Sequence, residues 1–310
     1  METLSSIECF VRTAESGSFS EAARRLGLTS AAVGKSVAKL EHSVGVRLFV
    51  RTTRKLTLTE AGERFLAEVG TSLSTITAAV DNLASSAGQP AGTLRVSMGT
   101  TFGLTYVVPL LDEFLQRYPA IRPDWHLSDR TVDLVAEKFD AAIGGGFQLD
   151  PGVIARELAP AHRMLVAAPG YLEKHAKIEK PADLASHPGI FVRSPQTGRV
   201  RNLPLLDANA EQAPLLLKPE ITMSEPDAVC RLARAGLGIA LAPVTHALPY
   251  LDAGTLVRVL PQWYADAGTL SIYFPARTLL PSKTRVFVDF IVDAFRAKKW
   301  AERFDARPRP

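Results

Sequence analysis

Cysteine is nearly absent from this chain of 310 residues, in which only Cys9 and Cys230 occur. That count excludes a disulfide framework and any CxxC metal or redox pair. The chain also lacks an apolar leader, because Glu2 and Glu8 interrupt its first residues. Its longest uncharged run, Ala235–Leu251, has 17 residues and two prolines, whereas a membrane helix needs about 20 apolar residues. We therefore expect a soluble, reduced, cytoplasmic protein that does not contact a membrane.

Catalytic signatures are missing as well. The closest two of the six histidines are 12 residues apart, and no HExxH, GxSxG or Walker pattern occurs. The run Gly144-Gly145-Gly146 is not followed by the Lys-Ser/Thr of a phosphate loop, so a turn after a strand is favoured. Cys230 falls on the inward side of a predicted helix, which is typical of a core residue rather than a redox switch. The sequence thus predicts no enzymatic activity, no cofactor and no metal site.

Hydrophobic residues make up 46% and charged residues 22% of the chain, which is typical of globular proteins. Because a single core stops growing near about 250–300 residues, we expect two or three domains. The net charge of +4 is unevenly distributed, since eight basic residues between Arg24 and Lys55 face only Glu41. This stretch of 32 residues carries +7, and the other 278 carry −3. A basic block of this kind indicates a surface that binds a polyanion.

The first 58 residues predict three helices and a hairpin. A helix over 4–16 is followed by a capping box of Ser18 and Glu21, which opens a second, short helix. Thr29 caps a third helix, which lasts to Val44. The inner face of this third helix is formed by Val33, Val37 and Leu40. Two helices joined by a tight turn that contains glycine are typical of a helix-turn-helix.

The outer face of the third helix has short side chains, and Lys35 can reach a phosphate or a guanine edge in the major groove. The hairpin over 47–58 has a basic tip, which suits contact with phosphates or with the minor groove. Helix, wing and local charge together predict binding to double-stranded DNA. The predicted DNA contacts are Ser18, Thr29, Ser30, Ala31, Gly34, Lys35, Arg51, Thr53 and Arg54.

A long helix is predicted to start at Thr59 and to run to about Ala87, where a flexible linker follows. Its apolar residues repeat in steps of three and four, which is typical of a heptad seam. This pattern favours a homodimer over the alternative that the helix packs only against its own domain. The seam consists of Phe65, Val69, Leu73, Ile76, Val80 and Leu83.

Beyond residue 92, strands and helices alternate, which argues for parallel βαβ units. The predicted strands lie near 93–98, 123–127, 141–144, 164–168, 190–193, 215–221, 239–242 and 270–274. The predicted helices lie near 104–118, 131–138, 169–175, 227–235, 244–248 and 283–299.

The N-terminal block resembles the head of LysR-type transcriptional regulators over residues 4–85. The resemblance rests on Glu15-Ser16-Gly17-Ser18-Phe19, Ala22-Ala23-Arg24, Gly45-Val46-Arg47-Leu48-Phe49 and Leu58-Thr59-Glu60-Ala61-Gly62. It continues in Phe139-Asp140-Ala141-Ala142-Ile143 and in Ala235-Gly236-Leu237-Gly238-Ile239-Ala240. Members of this family usually carry Gln and Ser where this chain has Ser30 and Gly34, which predicts fewer hydrogen bonds to bases.

The resemblance implies an α/β protein in which a winged helix-turn-helix and a linker helix precede a two-lobed effector domain of the periplasmic-binding-protein type. It places the head at 1–58, the linker helix and hinge at 59–92, the effector domain at 93–302 and a tail at 303–310. Lobe I would comprise 93–160 and 266–302, and lobe II would comprise 161–265. The implied protein is a homodimer or homotetramer that binds a promoter inverted repeat at the nucleoid.

The resemblance also implies a small-molecule effector between the lobes. Gly99-Thr100-Thr101 opens a helix after the first strand, so its free N–H groups would suit an anion, most simply an organic anion. The family often has Arg where this chain has Gly144, so one common anion contact is missing. The predicted effector contacts are Thr100, Thr101, Ser128, Arg193 and Ser194.

Two alternatives to a ligand-responsive regulator remain open at this point. One is a structural chromatin protein whose lobes have lost their ligand, and the other is an enzyme on a binding-protein fold. Salt-dependent, sequence-selective DNA binding separates the regulator from the enzyme. A shift of the melting temperature with ligand separates it from the structural protein.

Overall fold

A computed structural model describes residues 4–51, 56–69, 73, 76, 89–146, 152–194, 197–201, 203–276 and 280–308. The chain divides into two compact units, unit 1 up to residue 87 and unit 2 from residue 88. This division falls inside the segment that the sequence assigns to the linker.

Unit 1 begins with three helices, α1 (Leu4–Ser16), α2 (Phe19–Leu26) and α3 (Ser30–Val44). Ser18 caps α2 by accepting the Glu21 N–H, and Thr29 caps α3 by accepting the Ala32 N–H. The second half of the predicted capping box does not form, because the Glu21 carboxylate is bound by Arg24 and Arg25. The apolar faces of the three helices meet in one core that contains Phe10, Ala22, Ala23, Val33, Val37 and Leu40.

The predicted wing is an antiparallel hairpin of β1 (Phe49–Arg51) and β2 (Leu56–Leu58). Its predicted tip contacts, Thr53 and Arg54, lie outside the described residues, as does the side chain of Arg51. Helix α4 follows over 60–69 and packs tightly against the wing. A Cβ added to Gly62 would lie 2.2 Å from the Leu48 carbonyl oxygen, so only glycine fits this crossing.

The heptad seam is used in two different ways. Phe65 and Val69 pack on the core of unit 1, and Leu73 is one of its buried members. Ile76, one turn further along, is 42% exposed, while Val80 and Leu83 lie outside the described residues. The prediction that the whole seam serves a partner helix is therefore wrong for its first three residues, since their apolar surface is covered by their own unit.

Unit 2 is built on one mixed sheet, in the order β10-β7-β11-β6-β13-β5-β3-β4, with β12 paired to β6. Its strands are β3 (Gly92–Met98), β4 (Ile121–Leu127), β5 (Ala141–Gly145), β6 (Val153–Ala167), β7 (Pro188–Val192), β10 (Lys218–Met223), β11 (Ile239–Pro243), β12 (Val257–Val259) and β13 (Ala265–Pro275). A separate pair consists of β8 (Leu205–Leu206) and β9 (Gln212–Ala213).

Two parallel groups form the ends of this sheet. Strand β3 is parallel to β4 and β5, and β7 is parallel to β10 and β11. The long antiparallel pair of β6 and β13 joins the two groups. The chain therefore passes from one group to the other in β6 and returns in β13, and both predicted lobe boundaries fall inside these strands.

Helices cover the sheet, and several of their bounds differ from the predicted ones: α7 ends three residues earlier and α9 four residues later than predicted. The run from residue 100 to 117 starts four residues earlier than predicted and contains a π-helical turn, Gly103–Val107, and a 3-10 turn, Val108–Leu110. The helices of unit 2 are α5 (Thr100–Phe102), α6 (Leu111–Arg117), α7 (Pro169–Leu172), α8 (Pro226–Arg234), α9 (Val244–Asp252), α10 (Ser282–Ala297) and α11 (Trp300–Arg303).

The helix predicted over 131–138 does not form. Only a single turn is present. Asp133 caps its start by accepting the Val135 and Ala136 N–H groups, and the Glu137 N–H donates to the Asp133 carbonyl at 2.9 Å. Lys138 ends the turn at a φ of 59°.

The C-terminal segment is not an exposed tail in its described part. Phe304 and Ala306 are fully buried, and the Arg258 guanidinium donates to the Ala306 carbonyl at 2.5 Å. The Ala306 N–H donates to His162 Nδ1 at 3.1 Å. These contacts make residues 304–306 part of the core of unit 2.

Within the ranges that the structure describes, none of the helices is both long and apolar enough to cross a membrane.

Candidate functional sites

Among the described residues, no side chain covers the exposed positions on the outer face of α3. Ser30, Ala31 and Lys35 are exposed, and the Ser30 hydroxyl donates to the Ser20 hydroxyl at 3.2 Å. A Cβ added to Gly34 would meet no atom within 4 Å, so packing within unit 1 does not require glycine there. The face therefore offers a shallow surface, with one lysine, to a large partner.

Ser18 and Thr29 lie at the N-termini of α2 and α3, where their hydroxyl oxygens accept backbone N–H groups. Thr29 is exposed and Ser18 is half-buried. Helix N-termini favour phosphate groups because their first N–H groups are unpaired and the helix dipole is positive there. The structure shows both residues as helix caps, and their contact with a duplex stays a prediction.

The basic block offers less free positive charge than its number of basic residues suggests. Arg24 and Arg25 both bind the Glu21 carboxylate, at 2.7 and 3.2 Å, and these pairs lower the pKa of Glu21 to about 2. Lys35 and Lys39 are exposed. Among the described residues of the block, the charge available to a polyanion is therefore concentrated on α3 rather than on α2.

Glu41, the single acid of the basic block, joins α3 to the wing. Its Oε1 accepts the Leu48 and Phe49 N–H groups at 2.8 and 3.0 Å, and its Oε2 binds Arg47 at 3.1 Å. Burial opposes ionisation, but the Phe49 and Leu48 N–H groups and the Arg47 charge outweigh it, so the pKa of Glu41 lies below its ordinary value. The contacts fix the wing relative to α3.

A cavity of about 250 Å³ lies in unit 2, where the carboxyl ends of β3, β4, β5, β7, β10 and β11 converge. Strand ends of parallel sheets are the usual place for ligand sites. Its apolar lining includes Met98, Phe102, Ile143, Val192, Leu270 and Tyr273. Its polar lining includes Ser128, Asp129, Arg163, Ser194, Arg201 and His246.

The five predicted effector residues divide into two groups. Ser128 and Ser194 line the cavity, whereas Thr100, Thr101 and Arg193 are not part of its lining. Arg193 is exposed beyond the end of β7. The structure thus brings together only two of the five, and their contact with an effector stays a prediction.

The helix N-terminus at Thr100 is already occupied, which corrects the expectation of free N–H groups. Asp129 accepts a hydrogen bond from the Thr100 N–H, and its Oδ1 would lie 2.8 Å from a Cβ on Gly99. The Thr101 hydroxyl donates to Glu225 at 3.4 Å. Burial and the nearby Glu225 charge raise the pKa of Asp129. An anion placed at this helix end would meet a carboxylate first.

Arg163, which the sequence analysis missed, lies on β6 in the cavity wall. It is half-buried and contributes to the cavity lining. Burial, and after it the charge of Arg201, lowers its pKa to about 10, so it remains charged at neutral pH. The residues within the described ranges provide it with no hydrogen-bond or ion-pair partner. Arg201 instead donates to the Gly146 carbonyl at 2.5 Å.

One signal in the sequence points to Arg163. It directly precedes the apolar run Met164–Ala168, which was predicted to begin a strand. The strand extends eleven residues further back, to Val153, because β6 pairs with β13 over this part of its length. A positive charge directly before five apolar residues distinguishes Arg163 in the sequence, whereas Arg156 in the same strand is paired with Asp289.

Two further ionisable groups, the His246 imidazole and the Cys230 thiol, are uncharged at neutral pH. Burial lowers the pKa of His246 to about 4, so its imidazole is neutral at pH 7. Cys230 has no exposed surface, and burial, followed by the charges of Asp227 and Glu225, raises its pKa to about 12. A thiol of this kind is protonated and unreactive.

Comparison with known proteins gives two family matches. Residues 4–63 match the bacterial regulatory helix-turn-helix protein of the lysR family, and residues 87–296 match the LysR substrate binding domain. The chain is 32% identical to a transcriptional repressor of Pseudomonas aeruginosa (strain UCBPP-PA14) over 297 residues, which is 95% of this chain and 93% of that protein. It is 31% identical to the regulator CrgA of Neisseria meningitidis serogroup C (strain 8013) over 285 residues, which is 92% of this chain and 94% of that protein.

Solved structures agree with these matches. The structure of CrgA has a TM-score of 0.58 at 29% identity and covers 94% of this chain and 98% of that one. The full-length structure of AphB, a virulence activator of Vibrio cholerae, has a TM-score of 0.59 at 26% identity. This match covers 94% of this chain and 99% of that one. The chain belongs to the LysR family and is a transcriptional regulator with a helix-turn-helix DNA-binding domain and an effector-binding domain.

Proposed function

We propose that α3 enters the major groove of a promoter and reads one half of an inverted repeat. The observation that carries this proposal is the uncovered outer face of α3, where small residues surround Lys35 and Gly34 has open space. A groove floor can approach such a face closely, and Lys35 can bind a guanine edge. Few side chains on this face can form hydrogen bonds, so we expect the shape of the DNA to contribute to selectivity.

The wing supplies affinity in this proposal. Strands β1 and β2 lead into a tip that carries Thr53 and Arg54, next to Arg51. Phosphate contacts of this kind position a protein without reading bases. Glu41 supports the wing from inside, because it holds the first residues of β1 against α3.

The second half of the heptad seam joins two copies of the chain in this proposal, as a homodimer or as a pair of dimers. Leu73 is buried within unit 1, whereas Ile76 is exposed and leads toward Val80 and Leu83. Ile76→Glu should therefore separate the subunits in sedimentation without unfolding the head. Glu68→Gln serves as a control on the same helix. A dimer that withstands Ile76→Glu would place the interface elsewhere.

The cavity of unit 2 binds a small organic anion in this proposal, and the ligand changes operator binding. Ser128 and Ser194 are the predicted contacts that line it. A ligand can alter DNA binding only if it binds two arrangements of the subunits with different affinities, and the effect is then reciprocal. The relatives are transcriptional regulators, which supports a protein that binds its effector without turning it over.

Genomic footprinting of the full chain tests the proposal directly. We expect protected sites with two-fold symmetry in promoters, and stronger binding to these sites than to shuffled sequences of equal composition. Lys35→Ala should reduce this preference. Uniform, sequence-independent protection would instead support the structural chromatin protein.

A further inference from the structure

Arg163 differs from the other arginine side chains in the cavity lining. Arg130 binds Glu137 and Arg201 binds the Gly146 carbonyl, whereas Arg163 has no partner within the described residues. An unpaired guanidinium inside a protein is costly, because its lost hydration is not replaced. Proteins retain such a group where a ligand supplies the missing charge.

A carboxylate fits Arg163 better than a neutral ligand does. The planar guanidinium presents paired donors that match the two oxygens of a carboxylate. Arg201 adds a second positive charge close to Arg163, because its charge helps to lower the pKa of Arg163. Nearby His246 is neutral and adds no further charge.

The cavity wall near Asp129 requires the opposite chemistry. Asp129 is a half-buried carboxylate that already accepts the Thr100 N–H and lies close to the charge of Glu225. A second carboxylate placed there would be repelled, whereas a hydroxyl or ammonium group could donate to Asp129. Arg163 and Asp129 thus line the same cavity with opposite charges, and its apolar lining includes Met98, Phe102 and Ile143.

We propose that the effector is a small monocarboxylate with a hydroxyl or amino group, that its carboxylate binds Arg163, and that its donor faces Asp129. This inference rests on the proposed binding of an effector in the cavity, and it excludes a dicarboxylate. The volume of about 250 Å³ is below the ~300–1,000 Å³ of pockets for drug-sized ligands, so the effector is a small metabolite.

The first test needs no ligand. Arg163→Met removes the unpaired charge at similar length, so the melting temperature of unit 2 in the full chain should rise by about 2–4 °C. Arg122→Met is the matched control, because Arg122 is an exposed strand arginine outside the cavity. A fall in the melting temperature for Arg163→Met alone would show that Arg163 is already satisfied and would overturn the proposal.

The second test uses three acids of three carbons as probes, namely lactate, propanoate and malonate, at equal ionic strength. Lactate offers a carboxylate and a donor, propanoate lacks the donor, and malonate has a second carboxylate. At about ten times its dissociation constant, lactate should raise the melting temperature by about 3–6 °C. Propanoate should shift it less and malonate least. Arg163→Met should abolish the lactate shift, and Arg163→Lys should retain part of it.

A variant that fills the cavity separates the failure of this inference from the failure of the proposed function. If the lactate shift persists in Arg163→Met but disappears in Ser194→Phe, the cavity binds the acid and the anchor is wrong. If the shift persists in both, the acid binds outside the cavity and the proposed site fails as well. Absence of any shift in the wild-type chain, or a malonate shift larger than that of lactate, would also overturn the inference.

Discussion

Glu41 in the head is a buried charged side chain, Arg163 in the effector unit is a half-buried one, and their partners differ. Glu41 accepts two backbone N–H groups and an arginine, whereas Arg163 has neither a hydrogen bond nor an opposite charge within the described residues. A buried charge with all its partners holds a structure together, and one without partners marks a place for a ligand. The two units thus use a charged side chain for opposite purposes.

Among the variants that test this comparison, one that removes the Glu41 carboxylate should have the largest effect on stability. Glu41→Ala leaves the Leu48 and Phe49 N–H groups without their acceptor, which should cost about 3 kcal/mol of the free energy of unfolding of unit 1. Denaturant unfolding, followed by a probe in unit 1, measures the change. Glu63→Ala, an exposed acid on α4, should change stability by less than about 0.5 kcal/mol. Equal effects of the two variants would show that Glu41 is not structural.

The pH dependence of the stability of unit 1 tests the same contacts of Glu41 without removing the side chain. The pKa of Glu41 is lowered in the folded state, so its stabilisation is complete above its unfolded value, near about 4.3, and is lost as pH falls through the folded pKa. The stability of the wild type should therefore fall more steeply below about pH 4 than that of Glu41→Gln. Parallel curves would contradict the lowered pKa.

The residues of α3 should control sequence preference. Lys35→Ala and Ser30→Ala should each change the preference between operator variants by about 1–3 kcal/mol per lost base contact. Competition binding with single-base operator variants measures this preference. If neither substitution alters the ranking of the variants, α3 does not read the bases.

Gly34 should show the smallest effect, with opposite signs for stability and binding. Because a Cβ at this position has open space, Gly34→Ala should stabilise α3 by up to about 1 kcal/mol. The same methyl group should weaken operator binding if the groove approaches the helix at Gly34. Thermal unfolding and operator titration on one protein sample provide both values, and unchanged affinity would remove Gly34 from the interface.

The head was largely predictable from the sequence, because its signals are local. Caps at Ser18 and Thr29 and the apolar spacing of Val33, Val37 and Leu40 act within one or two helical turns, and the structure has them as predicted. The seam was interpreted less well. Periodicity shows which residues form an apolar face, but it cannot show whether the partner of Phe65 is another chain or Phe10, whose ring lies 5.3 Å away.

The cavity was predictable only in position. The alternation of strands and helices placed it at the carboxyl ends of the strands, but its side chains come from segments far apart in the chain. Asp129 occupies the helix end at Thr100 through a contact that no local pattern encodes. The helix predicted over 131–138 is only one turn long, because it starts at the cap Asp133 and Lys138 ends it in the left-handed conformation.

Operator titrations across a range of salt concentrations test the division of labour between the two units most directly. Arg54→Ala should lower the slope of log affinity against log salt by about one, because it removes one phosphate contact. Arg163→Met should retain both the slope and the ligand-free affinity of the wild type, while losing the response to lactate. A reduced slope in Arg163→Met, or an unchanged slope in Arg54→Ala, would contradict the assignment of DNA binding to the head and of anion binding to the cavity.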